Sequence, residues 1–421
     1  MVIGKGYEDG FLSETGAREI IESGVSQIDV KDKKVLVLLP DSTRSGPVGF
    51  FFRQFCDIIG RSAKTLDFLI ALGTHPIMKE EKILEYLKIS PEERDSKYGR
   101  FRIFNHRWDL PGTFKRIGVI SREEIFEISG GLFREEVPVE LNKMILDYDL
   151  VVIYGPVFPH EVVGFSGGNK YFFPGIAGFE IINFFHWLGA VLTNIKINGR
   201  KDTPVRRFVE KAASLIKVPT CCFASVVSGD RLKGLFFGKV RETWSRAADL
   251  SSKVHITYKE KVFKKVLGIA PEMYDDIWTA GKVMYKLEPV VADGGELIIY
   301  APHITEVSYT HGRILDKIGY HVRDYFMKQP EKFKDIPRGV MAHSTHVKGI
   351  GVFENGAEKP RINVILATGI QESRCRKINL GYRNPADIDV SKWEGREKEG
   401  ILLVHHAGET LHLLKPESQP S

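Results

Sequence analysis

The chain has 421 residues, of which 43% are hydrophobic and 27% are charged, and its formal net charge is +6. This composition is typical of a globular protein with two or three domains. The small positive excess suits an anionic small molecule but falls short of a nucleic-acid-binding surface.

The cysteine pattern and the N-terminus exclude several protein classes. The four cysteines, Cys56, Cys221, Cys222 and Cys375, form no CxxC pair, so neither a disulfide framework nor a zinc ribbon is expected. The N-terminus lacks the apolar core of a signal peptide, and no apolar run approaches the ~18 residues of a membrane span. We therefore expect a reduced, cytoplasmic protein with no membrane or nucleic-acid partner. The sequence does not indicate the oligomeric state.

Apolar runs alternate with amphipathic stretches along the chain. The runs predict strands at 33–40, 65–72, 101–109, 147–156, 254–258, 263–270, 296–302, 362–369 and 400–408. The amphipathic stretches predict helices at 48–60, 78–87, 239–254 and 276–295. This alternation predicts an α/β protein with mainly parallel sheets flanked by helices. We place a domain boundary near residue 258, which gives domains 1–258 and 259–421.

Three polar side chains follow predicted strands in the first domain: Arg44, His75 and His160. Ligands of parallel sheets bind beyond the carboxyl ends of the strands, so these residues are expected to line one crevice. Arginine can hold a carboxylate with two hydrogen bonds. Histidine suits proton transfer near pH 7, and two such bases facing one carbon are what a racemase needs. Taken singly, the histidines fit structural loop residues equally well, and Asp41–Arg44 fits a helix N-cap with an ion pair.

The segment 160–170, HEVVGFSGGNK, is the most unusual in the sequence. Its small residues permit close approach of a ligand to the backbone, and Lys170 at its end suits a phosphate or carboxylate. It is not a Walker A loop, and a glycine-rich turn with a solvated lysine remains an alternative. His186, embedded in aromatic residues, fits either a core histidine or a single metal ligand.

A further polar cluster, AHSTHVKG, spans residues 342–349 of the second domain. Its two histidines, His343 and His346, stand at a spacing that would share a helix face. The Ser-Thr pair between them and the glycines that follow favour a loop instead.

Taken together, these segments resemble the nickel-dependent lactate racemase family. The matching segments, which cover about residues 35–300, are DSTR at 41–44, GTHP at 73–76, NH at 105–106, HEVVGFSGGNK at 160–170, PG at 174–175, His186 and DIWTAGK at 276–282. The resemblance implies two domains with a nickel-pincer nucleotide (pyridinium-3-thioamide-5-thiocarboxylic acid mononucleotide) in the cleft between them. It also implies transient contact with the enzymes that make this cofactor.

The resemblance also implies the roles of individual residues. Lys170 would tether the nucleotide, and His186 would be the protein's ligand to nickel. His75 and His160 would be the catalytic bases. The substrate would be held by Arg44, Lys282, Trp278 and Thr279, and the nucleotide would be contacted by Asp41, Thr43, Gly167 and Gly168. Trp278-Thr279 and Asn169 differ from the family's usual Tyr-Gln and glycine, which puts lactate itself in doubt as the substrate.

The expected function is racemisation or epimerisation of a small anionic 2-hydroxy acid, which is lactate-like, malate-like or an aldonic acid. In the family, hydride passes to the cofactor and back through a 2-keto acid intermediate. Extra polar residues such as His303, His343, His346 and Lys348 could hold a larger or doubly anionic substrate, whereas no role is assigned to His106. The alternatives are net redox chemistry, sugar or polyol epimerisation on the same cofactor, and a non-catalytic carrier of the nickel nucleotide.

Overall fold

The computed structural model describes residues 1–416, so the last five residues of the second predicted domain lie outside the described part. The strands are β1 Ile3–Gly6, β2 Lys34–Leu39, β3 Thr65–Ile70, β4 Ile103–Asn105, β5 Phe114–Ile120, β6 Val137–Asn142, β7 Leu150–Pro156, β8 Pro159–His160, β9 Gly164–Phe165, β10 Thr220–Ser228, β11 Arg231–Gly238, β12 Ile256–Lys259, β13 Phe263–Ile269, β14 Val291–Ala301, β15 Gly351–Glu354, β16 Ala357–Pro360, β17 Asn363–Thr368, β18 Gly381–Tyr382, β19 Ile401–Val404 and β20 Leu411–Leu414. The α-helices are α1 Glu14–Val25, α2 Val48–Ile58, α3 Glu80–Leu87, α4 Pro91–Ser96, α5 Arg122–Ile128, α6 Phe179–Leu192, α7 Asn194–Ile197, α8 Pro204–Ala213, α9 Val240–His255, α10 Ile277–Leu287, α11 Gly312–Ile318, α12 Arg323–Met327, α13 Pro330–Phe333, α14 Arg338–Lys348 and α15 Glu372–Lys377.

The chain divides into two compact units, and each contains one large sheet. Unit 1 comprises residues 1–158, 166–182 and 206–254, and unit 2 comprises 159–165, 183–205 and the chain from 255 onward. His160 and His186 therefore belong to unit 2, although they precede residue 258. The domain boundary at residue 258 stays a prediction.

The sheet of unit 1 has seven strands in the order β1-β11-β10-β7-β2-β3-β4. The strands from β10 to β4 are parallel, whereas β11 is antiparallel to both of its neighbours. Strands β2 and β7 read as continuous apolar runs because helices cover both faces of a parallel sheet. The buried aromatic rings of α2 pack on this sheet, and the ring of Phe51 stacks on Tyr154 at 3.9 Å.

The sheet of unit 2 has five strands in the order β18-β17-β14-β13-β19, and all are parallel. Its central strands contribute Leu267, Ile298 and Ala367 to a buried cluster. The two sheets confirm the predicted α/β class with mainly parallel strands flanked by helices. Within residues 1–416, no helix is both long and apolar enough to cross a membrane.

Two local predictions were wrong. The loop expected at 342–349 is the end of helix α14, which stops at Lys348 because Gly349 adopts φ +86° and turns the chain. Ser344 is accommodated in that helix because its hydroxyl donates to the carbonyl oxygen of Gly319 at 2.8 Å. The helix expected at 276–295 ends at Leu287, and residues from Val291 onward already belong to β14.

Candidate functional site

The loops after β2 and β3 bring Asp41 and His75 into contact in unit 1. The Oδ2 atom of Asp41 lies 2.6 Å from Nδ1 of His75. The Oδ1 atom accepts hydrogen bonds from the backbone N–H and the hydroxyl of Thr43, at 2.9 and 2.7 Å. Burial alone would raise the pKa of Asp41, but His75, Arg44 and Thr43 outweigh it and hold the pKa of this carboxyl far below its usual range.

The backbone around His75 is held at several points. Its N–H donates to Leu72, and its carbonyl oxygen accepts the indole N–H of Trp108 at 2.8 Å. The carboxylate at Nδ1 favours the tautomer that carries its proton there, which makes Nε2 the basic nitrogen. The expected contact of Asp41 with the nucleotide stays a prediction, and in the structure its carboxylate pairs with the candidate base.

The glycine-rich loop of unit 1 is packed against Trp244. The indole N–H of Trp244 donates to the carbonyl oxygen of Ser166 at 2.8 Å. Gly167 and Gly168 have φ of +81° and +60°, and a Cβ on Gly168 would lie 2.9 Å from Cβ of Trp244. Both the backbone conformation and a protein neighbour therefore require glycine at position 168, whatever ligand approaches the loop.

A buried charge network supports the same loop just before Lys170. The guanidinium of Arg206 lies over the Trp244 ring at 3.9 Å and donates to the carbonyl oxygen of Gly167 at 3.4 Å. Asn169, which stands where the family has glycine, donates from its side chain to Glu210 at 2.8 Å. Sequence reasoning missed this network because α8 and α9 supply its partners from far along the chain.

His160 of unit 2 lies in the two-residue strand β8, which pairs with β9. It is buried, its Nδ1 accepts the backbone N–H of Val162 at 3.1 Å, and Oε2 of Glu161 lies 3.5 Å from the same nitrogen. The carbonyl oxygen of the preceding Pro159 accepts a hydrogen bond from the Lys286 ammonium. A carboxylate therefore lies near Nδ1 of this histidine, as Asp41 does at His75, although less closely.

His186 is partly buried on α6, with its ring edge-on to Phe185. Within residues 1–416, no three His, Cys, Asp or Glu side chains are grouped closely enough to hold a metal ion. A metal at His186 would thus take most of its ligands from a cofactor, and a single imidazole is a fitting protein ligand for nickel. The donor set of this chain therefore fits a metal that arrives already coordinated.

Helix α10 carries the predicted substrate residues of unit 2 near its start. Asp276 caps the helix by accepting the backbone N–H of Thr279 at 2.9 Å. Trp278 is partly buried, and the ammonium of Lys282 lies 4.6 Å above the ring of Tyr274. Trp278, Thr279 and Lys282 therefore lie within about one turn of a single helix.

The imidazole of His343 packs on Trp278, with ring centroids 4.1 Å apart. Its Nδ1 and Nε2 lie 3.1 and 3.3 Å from the hydroxyls of Tyr285 and Tyr320. Burial lowers its pKa well below the ordinary value, and nearby histidines lower it further, so the imidazole is neutral. A second histidine, His311, lies 4.5 Å from the Trp278 ring.

The other polar residues that could have enlarged the binding site have different partners. Lys348 is buried and donates to the carbonyl oxygen of Asn379 at 2.6 Å. His303 is exposed, with Nε2 3.0 Å from the carbonyl oxygen of Tyr274. His346 is buried, and burial lowers its pKa to about 4. His106 is a core residue of unit 1 with Nδ1 3.2 Å from the Asn142 side chain, and burial lowers its pKa to about 4.

Three of the comparisons with known proteins find similarity to lactate racemases. Residues 17–197 match the model of the lactate racemase N-terminal domain. The lactate racemase of Thermoanaerobacterium thermosaccharolyticum is 24% identical over 306 residues, which are 70% of this chain and 67% of that protein. A crystal structure of a Thermotoga maritima protein is 32% identical, with a TM-score of 0.87, covering 96% of this chain and 99% of that one. The lactate racemase apoprotein from T. thermosaccharolyticum is 18% identical in the structural comparison, with a TM-score of 0.70, covering 98% of this chain and 94% of that one.

Proposed function

Because the chain belongs to the lactate racemase family, we propose that it racemises or epimerises a 2-hydroxy acid with a nickel-pincer nucleotide. The observation that carries this proposal is the pairing of His75 with the buried carboxylate of Asp41 at 2.6 Å. A histidine held in this way is a base of defined tautomer, as proton removal from a hydroxyl requires. A carrier of the cofactor would have no use for such a pair.

We assign the cofactor to two residues of this chain. Lys170 would hold the nucleotide, and His186 would supply one nitrogen to its nickel. When bound, the cofactor would supply the hydride chemistry, which spares the enzyme a carbanion next to a carboxylate. The covalent nature of the Lys170 tether is part of the proposal.

The protein's own part in the reaction is proton transfer and substrate binding. For one enantiomer, Nε2 of neutral His75 takes the hydroxyl proton, and Asp41 stabilises the imidazolium that forms. The second proton comes from protonated His160, which becomes neutral as it gives the proton up. The opposite enantiomer uses the two histidines in reversed roles. Arg44 and Lys282 bind the substrate carboxylate and keep the intermediate from leaving.

The test is intact-mass analysis of protein co-expressed with the pincer-nucleotide biosynthesis enzymes, under native and denaturing conditions, together with nickel analysis. We expect a nickel-containing adduct on Lys170 that is absent from Lys170→Ala and retained in the matched control Lys217→Ala, which changes an exposed lysine. The same preparation should interconvert the enantiomers of a 2-hydroxy acid on a chiral column. An adduct seen only under native conditions would overturn the covalent tether. Absence of adduct, nickel and racemisation would overturn the whole proposal.

A further inference from the structure

A small cavity lies in unit 2 where three helices end. Its volume is about 50 Å³, which is enough for a few water molecules or for one small ion with some of its water. The helix ends supply much of its lining, namely Ala190 of α6, Thr193 just past α6, Glu288 just past α10, and Thr345 and His346 of the last turn of α14. The carbonyl ends of helices carry partial negative charge, so a cavity among three of them favours a cation.

The acidic group of this cavity is Glu288, which is only 1% exposed. Its Oε1 atom accepts the backbone N–H of Ile350 at 2.8 Å, and its Oε2 atom accepts the side-chain amide of Asn194 at 3.3 Å. Within residues 1–416, the carboxylate forms no ion pair, because the nearby guanidinium of Arg361 donates instead to the backbone carbonyl oxygen of Glu288. Burial raises the pKa of this carboxyl group. A bound cation would compensate the charge that the protein leaves unpaired.

Two further side chains of the cavity each have a polar atom without a partner. Thr345 and His346 are both 5% exposed. In the part of the chain that the structure describes, the hydroxyl of Thr345 and Nε2 of His346 have no hydrogen-bond partner. Buried polar atoms of folded proteins are normally hydrogen-bonded, so these two atoms indicate a guest in the cavity. A hydroxyl and an imidazole can both offer a lone pair, as the carboxylate does.

The guanidinium of Arg323 also lines the cavity, but its charge is already balanced. It pairs with Asp324 at 3.0 Å and donates to the carbonyl oxygen of Val191, near the end of α6, at 2.9 Å. The acceptors that remain match a single positive charge. One carboxylate is too few for a calcium site, and within residues 1–416 no three His, Cys, Asp or Glu side chains are grouped as a divalent metal site requires.

We propose that this cavity binds one small monovalent cation, such as potassium or ammonium, through the carboxylate of Glu288 and the hydroxyl of Thr345, with Nε2 of His346 beside it. The cation joins the ends of α6, α10 and α14, and so stabilises the helices that carry His186 and Lys282. This inference is independent of the proposed racemase function, and its tests need neither nickel nor substrate.

The first test is thermal unfolding of the full chain without nickel, in chloride salts of equal ionic strength. Choline is the reference cation because it is too large for the cavity, and potassium, ammonium, sodium and magnesium are compared with it. We expect at least one monovalent cation to raise the unfolding midpoint saturably by about 2–4 °C, and the largest rise identifies the ion. The same midpoint in every salt, or a rise with magnesium alone, would overturn the inference.

Variants locate the cation within unit 2. Glu288→Gln removes the charge but keeps an oxygen for the N–H of Ile350, and it should abolish the rise in midpoint. Thr345→Val removes the hydroxyl, so half of the rise should require at least about threefold more cation. Glu358→Gln is the matched control and should keep the full rise, since Glu358 is another carboxylate of unit 2 but pairs with His321 at 3.0 Å. A full rise in Glu288→Gln would refute the assignment.

Anomalous diffraction keeps the inference testable even if Glu288→Gln does not fold. Crystals of the unaltered chain are grown in rubidium chloride, because rubidium replaces potassium and ammonium in their sites and scatters anomalously. We expect a rubidium peak inside the cavity, beside the carboxylate of Glu288 and the hydroxyl of Thr345. A water molecule in that place, or rubidium bound only elsewhere, would overturn the inference.

Discussion

Replacing Asp41 by asparagine tests the candidate base directly. The carboxylate is buried and lies 2.6 Å from Nδ1 of His75, so solvent weakens this interaction little. An asparagine amide that donates to Nδ1 would shift the imidazole proton to Nε2, which is the atom that must accept the substrate proton. General-base catalysis contributes about 10²–10⁴-fold to a rate, and we expect Asp41→Asn to lower kcat by this range with little change in KM.

The assay is the rate at which each pure enantiomer of the best substrate loses optical purity, normalised to nickel content. Asp67→Asn is the control, since Asp67 is also a fully buried carboxylate of unit 1 but binds Arg102 and Tyr148 instead. This control should lose stability and keep kcat per nickel. If Asp41→Asn retained kcat within threefold of the unaltered enzyme, the Asp41–His75 pair would not be the base.

Three further predictions concern stability and binding. Gly168→Ala should lower the free energy of unfolding by about 1–3 kcal/mol more than Gly130→Ala does. Both glycines have φ near +60°, but only a Cβ at position 168 would press on Trp244. Equal losses of unfolding free energy in urea titrations would contradict this packing argument. The folded-state pKa of His346 is lowered to about 4, below the ordinary 6.5, so its neutral form stabilises the fold above pH 6.5 and this stability declines as the pH falls towards 4. Between pH 4 and 7, the free energy of unfolding should therefore change less steeply with pH in His346→Gln than in the unaltered protein. An identical slope in the two proteins would disprove this role of His346. Arg44→Lys should raise KM about tenfold or more with a smaller change in kcat, since lysine cannot form the two parallel hydrogen bonds of a guanidinium. An unchanged KM would exclude Arg44 from substrate binding.

The sequence was most informative where local pattern determines structure. Strands β2 and β7 were predicted because parallel strands buried on both faces are continuous apolar runs. Helix α14 was missed because glycine was taken as a sign of a loop, whereas Gly349 ends the helix from outside it. Glycine at a C-terminal cap and glycine in a loop have the same sequence signature.

The candidate site was predicted as a set of residues but not as a set of contacts. His75 and Asp41 were both singled out, yet their pairing depends on two neighbouring loops of the sheet and has no sequence signal. Position 168 requires glycine because Trp244 packs against it, and Trp244 belongs to α9, which lies much further along the chain. Such contacts become visible only when the tertiary structure is known.

The division of the chain into interleaved segments also has a consequence for how the protein is made. The chain passes from one unit to the other after residues 158, 165, 182, 205 and 254. During synthesis, segments 159–165 and 183–205 leave the ribosome before the rest of their own unit exists. These segments include apolar side chains such as Val163 and Ile197, which are buried in the finished protein. We therefore expect a truncated product that stops near residue 258 to expose these side chains and to aggregate.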